Sequence, residues 1–579
     1  MQYPQLQASA QSRIVTQEFK GYNANLRCGD GEFSNMKNMT GKYYPVLSPR
    51  DKRGIYKKLT APTGLIAKDA IGYVDGTNFV FNEYSVDLRL NEEEKQIVSM
   101  GAYICIFPDK KYINTVDLSD YGDMEASVTT ASEVQFLLCR ADGEPYDGYS
   151  VSDEPPEEPA NMTLWLDTSV TPHSLKQYSA ASSMWVPIAT TYVRIQADGI
   201  GLPFEQWDGV TISGCTAVGT DEFNNTSVIY AKGDDYIVIV GLLDAAVSQD
   251  DPITVSRDVP DMDFVVESEN RLWGCKYGMV NGQTVNQLYA CKLGDFKNWN
   301  CFMGISTDSY AVTLGSDGVF TGAITYLGMP TFFKENSITR VYGNMPSNFQ
   351  TQTDMYRGVQ RGSYKSLCIV NEIVYYKSRV DVCAYDGSVP TGISYVLGDD
   401  YFTQASAGSV GGRYFISMKD RTGKWGLWCF DTAKGVWHKE DETHALQFAA
   451  LDDDLWFIDS GDNTLKTVNG TLGEKEQDFD WFVETGVIGY DQPDNKYISR
   501  YTIRLRLPLG SIVSLYVKYD DGNWEFEGSM RGIGTDSFTL PVVPRRCDHM
   551  QFKLSGKGEC KIFSIARILE GGSDVFDSN

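Results

Sequence analysis

The chain has 579 residues, 42% of them hydrophobic and 22% charged, with 54 glycines, 34 tyrosines, 27 phenylalanines and a formal net charge of -26. That length is too great for one hydrophobic core and implies roughly three to five core-sized units, unless a ring of shared interfaces joins them; the hydrophobic content excludes a disordered chain. The excess of carboxylates excludes a protein that coats nucleic acid through Lys and Arg, and serves either solubility or a surface along which a polyanion slides without sticking.

Strand-forming aromatics combined with abundant turn-forming glycine predict an all-β chain. The opening MQYPQLQASAQSR lacks an apolar stretch after a basic patch, so no secretory signal is expected, and no run of about eighteen apolar residues offers a membrane anchor. Segment 1–61 is basic on an acidic chain: Arg13, Lys20, Arg27, Lys37, Lys42, Arg50, Lys52, Arg53, Lys57 and Lys58 outnumber Glu18, Asp30, Glu32 and Asp51. It is expected to be an arm with the first strands, docking on an acidic neighbour, touching DNA phosphates, or simply a solvated face.

From residue 62 the text becomes strand, turn, strand, with apolar runs bounded by Gly, Asp and Asn. GYVDGTNFVFNEYSV (72–86), RLWGCKYGMVNGQTVNQLYACKLGDFKNW (271–299, turning at Asn281-Gly282), NEIVYYKSRVDVCAYDGS (371–388), GRYFISMKDRTGKWGLWCFDTAKGVWHK (412–439) and DDLWFIDSGDNTLKTVNG (453–470) are such hairpins. Corresponding strands about 40–50 residues apart predict a β-propeller of six or seven blades. The spacing breaks where SDEPPEEPAN (152–161) must form an exposed acidic loop, so a small β domain is expected as an insertion over 107–226, dividing the propeller into 62–106 and 227–477. After 478, YTIRLRL and SIVSLYVKY alternate with period two, predicting a C-terminal β-sandwich over 478–579; a hairpin at Leu509-Gly510 and a turn at 556–558 are expected in it.

Signals for chemistry are sparse. The twelve cysteines form no CxxC pair, and Cys105, Cys368 and Cys429 sit in apolar runs, as core thiols of a protein folded in a reducing compartment do. The four histidines, His173, His438, His444 and His549, have no metal-ligand spacing. Asp452, Asp453 and Asp454, and Asp520 and Asp521, suggest hairpin turns more than calcium ligands or a glycosidase pair. No GxSxG, Walker-type or HExxH sequence occurs, and the sialidase-type Ser-x-Asp-x-Gly-x-x-Trp signature is not repeated. No catalytic, cofactor-binding or metal-binding residue is assigned, no cofactor is expected, and a non-enzymatic protein is expected. Trp165, Trp185 and Trp207 are core candidates of the insertion, or sugar-stacking residues if the protein recognises a glycan receptor; a propeller hydrolase is a third, weaker reading.

FKGYNANLRCGDGEFSNMKNMTG followed by YYPVLSPRDKRG resembles the opening of tailed-phage packaged-DNA stabilisation proteins, which begin with a Phe-x-Gly element, an acidic turn, a (S/N)NMxNM-type strand and a run ending in Arg-x-x-x-Gly. CAYDGSVP, CFDTAKGVWHKED, LWFIDSGDNTLK and the closing RRCDHMQFKLSGKGECKIFSIARILEGGSDV are similar to the same family, which is similar in turn to the propeller proteins of the tail hub or nozzle of short-tailed phages. The resemblance implies a structural virion protein at the head-tail junction or tail, assembled in the host cytoplasm as a ring of six or twelve copies. Its implied partners are itself, the portal or adaptor and other tail proteins, with double-stranded DNA passing through the ring and no base sequence being read.

Overall fold

The computed structural model describes residues 11–571 apart from 281, 399, 492–494, 533 and 544, with 53% of the chain in strands and 2% helical. The Asn281-Gly282 turn therefore lies partly outside the described residues. Seven sheets succeed one another as propeller blades, over 62–87, 96–123, 264–313, 320–354, 368–392 and 402–441, with a seventh assembled from two parts of the chain. In the seventh, Ala445–Leu451, Asp454–Asp459 and Thr464–Thr467 are joined by Gly54–Lys58, which pairs antiparallel with Thr464–Thr467 and, on its other side, with Glu474–Lys475. The ring is closed, because the first strand of blade one, Pro62–Ala67, adjoins both Ala445–Leu451 and Gln96–Met100.

The short apolar runs of the sequence acquire their meaning here. Successive side chains of a strand point to opposite faces, and a blade has a neighbour on each face, so both faces must be apolar. Tyr73 packs toward blade seven and Val74 toward blade two; Phe332 faces blade three and Phe333 faces blade five; Trp456 faces blade one and Phe457 faces blade six. Polar side chains stitch the inner strands together. Gln447 accepts the Leu65 N–H and donates to the Leu65 carbonyl, Gln96 does the same between Val265 and Asp263, and the Ser406 hydroxyl donates to the Ala445 carbonyl.

The insertion occupies 126–257, later at both ends than the expected 107–226. Lys111–Asn114 and Tyr121–Asp123 complete blade two, and Ala231–Gly233 and Tyr236–Val240, read as resumed propeller, lie in the insertion's five-stranded sheet. A buried hairpin looks the same in text whether it faces another blade or a sandwich core; here Ile237 and Ile239 join Phe136, Val193 and Ile195 in a separate core. The insertion is clamped to blade three through Asp208, which pairs with Arg257 and accepts from Asn298 Nδ2 (2.8 Å), while Asn298 Oδ1 accepts the Gly209 N–H (2.8 Å).

The N-terminal segment is not a free-standing arm, and the sandwich is not built from 478–579 alone. Gln11–Thr16 adds an edge strand beside Lys561–Gly571, and Glu32–Lys37 pairs with Asp480–Thr485. The expected hairpin at Leu509-Gly510 is a crossover between sheets: Lys496–Leu507 belongs to the four-stranded sheet and Ile512–Tyr519 to the six-stranded one, so the two strands face each other across the core. Period-two alternation demands one buried face and does not say whether the next strand lies beside or opposite. Ile503, Leu505 and Leu507 meet Val513, Leu515 and Val517 in this core, which continues into blades five and six through Trp437, Tyr414 and Tyr375.

The seam between N-terminal segment and propeller is held by Arg53, whose side chain is 4% exposed and pairs with Glu440 (2.7 Å, 2% exposed) and Asp441 (2.8 Å). Removing one member of a buried ion pair strands its partner without solvent. Arg53→Ala is expected to lower the unfolding free energy by about 3–5 kcal/mol, as measured by denaturant titration, whereas Lys58→Ala at the exposed end of the strand that follows it should change it by less than about 0.5 kcal/mol.

Candidate functional site

The basic segment finds its acidic neighbour inside its own chain. Arg50 pairs with Glu476 and, at 3.5 Å, with Asp441; Lys37 pairs with Glu442 (2.8 Å) and Lys52 with Asp478 (2.6 Å). Burial works against the charge on Arg53, but Asp441 and Glu440 beside it overcome this and hold the guanidinium above its ordinary range. Burial likewise opposes the Asp441 carboxylate, yet Arg53 and Arg50 pull its pKa down to about 2. These charges lock the ring closed.

Two clefts flank this seam. One, of about 450 Å³, lies between Phe19, the turn 26–33 and the segment 485–491, with Arg567 and Asp30 paired in its wall (2.9 Å). The Cys28 thiol there is raised to about 11, first by burial and then by Glu32. The other, of about 720 Å³, opens between the N-terminal segment, the end of blade seven and the sandwich, and is lined by Lys42, Arg50, Lys52, Lys475, Arg506 and Lys561 against Asp51, Asp478 and Glu559. On a chain of charge -26 it is a local inversion of sign. Its cations come from four distant stretches: Lys42, Arg50 and Lys52 belong to the basic segment evident in the sequence, and the alternation in YTIRLRL turns Arg504 and Arg506 outward, but nothing local brings these together or adds Lys475 and Lys561.

The histidines are separated by the fold. His438 is buried against Gly21 and Gly41, at both of which an added Cβ would come within about 3 Å of its ring; at Gly21, with φ +84°, it would also strike the Trp437 carbonyl. His444 stacks on Trp425 (3.6 Å between rings, 11° apart), and its Nδ1 lies 2.5 Å from Ser460 Oγ. That contact resembles a nucleophile and its base, but the neighbouring Asp459 is committed to Lys466 (2.7 Å) and the Gly461 N–H (3.0 Å), so it does not orient the ring. His173 pairs with Asp244 (2.8 Å), and His549 lies 3.1 Å from Asp548.

Asp454 is buried, and its carboxylate accepts from the Leu455, Asn469 and Thr471 N–H groups; Asp452 and Asp453 are exposed in the turn. Asp520 accepts the Asp548 and His549 N–H groups, and Asp521 is exposed. No group of three or more metal-capable side chains occurs among the described residues. Trp165 is buried with its ring edge-on to the half-buried Trp185 (5.3 Å), whereas Trp207 is 41% exposed and edge-on to Tyr230 (5.2 Å).

No family model and no curated protein matches the chain. Among solved structures, Raptor of Chaetomium thermophilum is similar at 9% identity over 72% of this chain and 29% of its own, with a TM-score of 0.27. The WD40 domain of Toxoplasma gondii coronin matches at 8% identity over 75% and 86% (TM-score 0.23), and the Trypanosoma rangeli sialidase at 9% over 97% and 96% (TM-score 0.21). At these scores the likenesses carry no argument about activity, and the propeller assignment rests on the chain's own sheet order.

The buried histidine makes the seam acid-sensitive. Burial is the main reason the His438 pKa falls to about 4, with Lys434 adding to it and Asp431 opposing it. The unfolded chain binds a proton near pH 6.5 and the folded chain only near 4, so stability is full above 6.5 and is lost as pH falls through that window. His438→Gln is expected to remove about 3 kcal/mol of the drop in unfolding free energy between pH 7 and pH 4, read from urea titrations at both pH values; equal slopes for both proteins would refute the assignment.

Proposed function

We propose that the chain is a non-enzymatic structural subunit of a tailed-phage particle, stationed at the head-tail junction or in the tail, where copies form a ring around the DNA exit path. The observation that carries this reading is mechanical. Gln11–Thr16, Glu32–Lys37 and Gly54–Lys58 are woven into sheets made by the last third of the chain, so residues at the two ends of the described chain share hydrogen-bonded ladders. Peeling the propeller open requires shearing the Gly54–Lys58 ladder and the buried Arg53 pairs together, while the other two ladders anchor the same segment in the sandwich. A part that bears load needs such an interlock, and the resemblance of the opening and closing stretches to packaged-DNA stabilisation proteins points the same way.

The exit path in this reading belongs to the ring of copies and not to the propeller's own centre. Four of the innermost strands, Pro62–Ala67, Gln96–Met100, Phe402–Val410 and Ala445–Leu451, carry no charged side chain, and polar side chains tie inner strands to one another. A second reading, recognition of a glycan receptor, draws on the exposed Trp207 beside Tyr230 and Tyr192 in the insertion, since exposed aromatics stack on sugar faces.

Purified particles are expected to contain the chain in multiple copies at the portal-proximal end of the tail, seen by imaging with the gene product tagged. Particles made without it should package DNA and then lose it. Absence from the particle, or DNA retention without it, defeats the first reading; glycan-array binding abolished by Trp207→Ala supports the second.

A further inference from the structure

The cleft of about 720 Å³ contains an arrangement that a sheet normally avoids. Arg506 and Lys561 are direct cross-strand partners on adjacent antiparallel strands, and like charges placed opposite each other destabilise a ladder. Neither has a carboxylate partner among the described residues, nor has the exposed Lys475 on the opposite wall. Lys561 lies over the Tyr43 ring (3.9 Å) and Arg50 over Phe479 (4.1 Å), so the floor offers aromatic surface beneath the charges. Lys42 and Lys52 are held by Asp51 and Asp478 at the rim, leaving Arg506, Lys475 and Lys561 as the cations open to a ligand.

An object of opposite charge and suitable shape exists on the same chain. Between Ser150–Ser152 and Leu164–Asp167 of the insertion, the loop SDEPPEEP presents Asp153, Glu154, Glu157 and Glu158, all exposed and without an ion pair among the described residues. Its three prolines, Pro155, Pro156 and Pro159, each fix their own φ, so less conformational freedom is lost on docking. We infer that the acidic loop of one copy occupies the basic cleft of the next, a head-to-tail contact whose repetition builds a ring. A loop seated in a different patch is a heterologous contact, which closes into a ring when the rotation allows. A short acidic peptide is favoured over a DNA backbone, because the cleft is concave and the field of the whole chain repels a long polyanion.

This inference rests on the reading of the chain as an assembling subunit, and the test separates the two. The full chain is examined by sedimentation velocity at low and moderate salt, alongside a cleft variant (Lys475→Glu with Arg506→Glu), a loop variant (Glu157→Lys with Glu158→Lys) and a control (Arg531→Glu). All the substituted positions are exposed. Self-association of the native chain and the control is expected to weaken with salt, and each variant alone should associate about tenfold or more weakly, as lost charge complementarity requires. Mixing the cleft and loop variants should restore pairwise association, since the intact cleft of the loop variant then meets the intact acidic loop of the cleft variant. A native chain that stays monomeric, a loop variant that associates normally, or a mixture that stays apart overturns the inference. So does a cleft variant that loses binding to duplex DNA while assembling as before. If the chain sits in the particle and any of these occurs, the structural reading stands and only this contact falls.

Discussion

Everything in the molecule depends on the strand Gly54–Lys58 lying in one register against Thr464–Thr467. The last blade is completed from elsewhere in the chain, by a strand that precedes the first blade. Its position is specified by charge. Arg53, immediately before the strand, is buried against Glu440 and Asp441 at the end of blade six, while its N–H donates to Glu476 beyond blade seven. Displacing the strand by one residue would leave buried charges unpaired, at a cost of several kcal/mol.

Such a network is a poor source of net stability, since desolvating the ions consumes most of what their attraction returns. Its value is specificity. The apolar interfaces between blades are chemically alike, with aromatic and branched side chains on both faces of each, and do little to dictate which segment completes the ring. The ion pairs and the glycine contacts around His438 are unique to one arrangement. The same segment then continues into the sandwich, whose core merges with that of blades five and six, so propeller and sandwich share one interior.

How much of this was legible in the text varies by element. Hairpins such as 371–388 and 412–439 were readable because a blade strand needs apolar side chains on both faces and Asp- or Gly-led turns between, a demand met by local residues. The insertion's edges were misjudged at Tyr236–Val240, since YIVIV satisfies a blade and a sandwich core equally. Arg53 and Glu440 looked like members of separate charged stretches, 387 residues apart, and nothing local marks them as partners. Lys42, Arg50 and Lys52 stood out as part of a basic segment, but their meeting with Lys475, Arg506 and Lys561 in one cleft did not, for the same reason.

By itself the sequence determined that the chain is all-β, that its strands come in blade-like hairpins, that a divergent module interrupts them and that a final stretch of longer alternating strands forms sandwich sheets. These follow from side-chain periodicity and turn chemistry, which act over a few residues. Only the tertiary structure decided that there are seven blades, that Gly54–Lys58 closes the ring, that 509–510 crosses between sheets, and that six cations from distant segments meet in one cleft. Those outcomes are set by long-range pairing, and a backbone hydrogen bond or a buried ion pair imposes no constraint on the residues that separate its two ends.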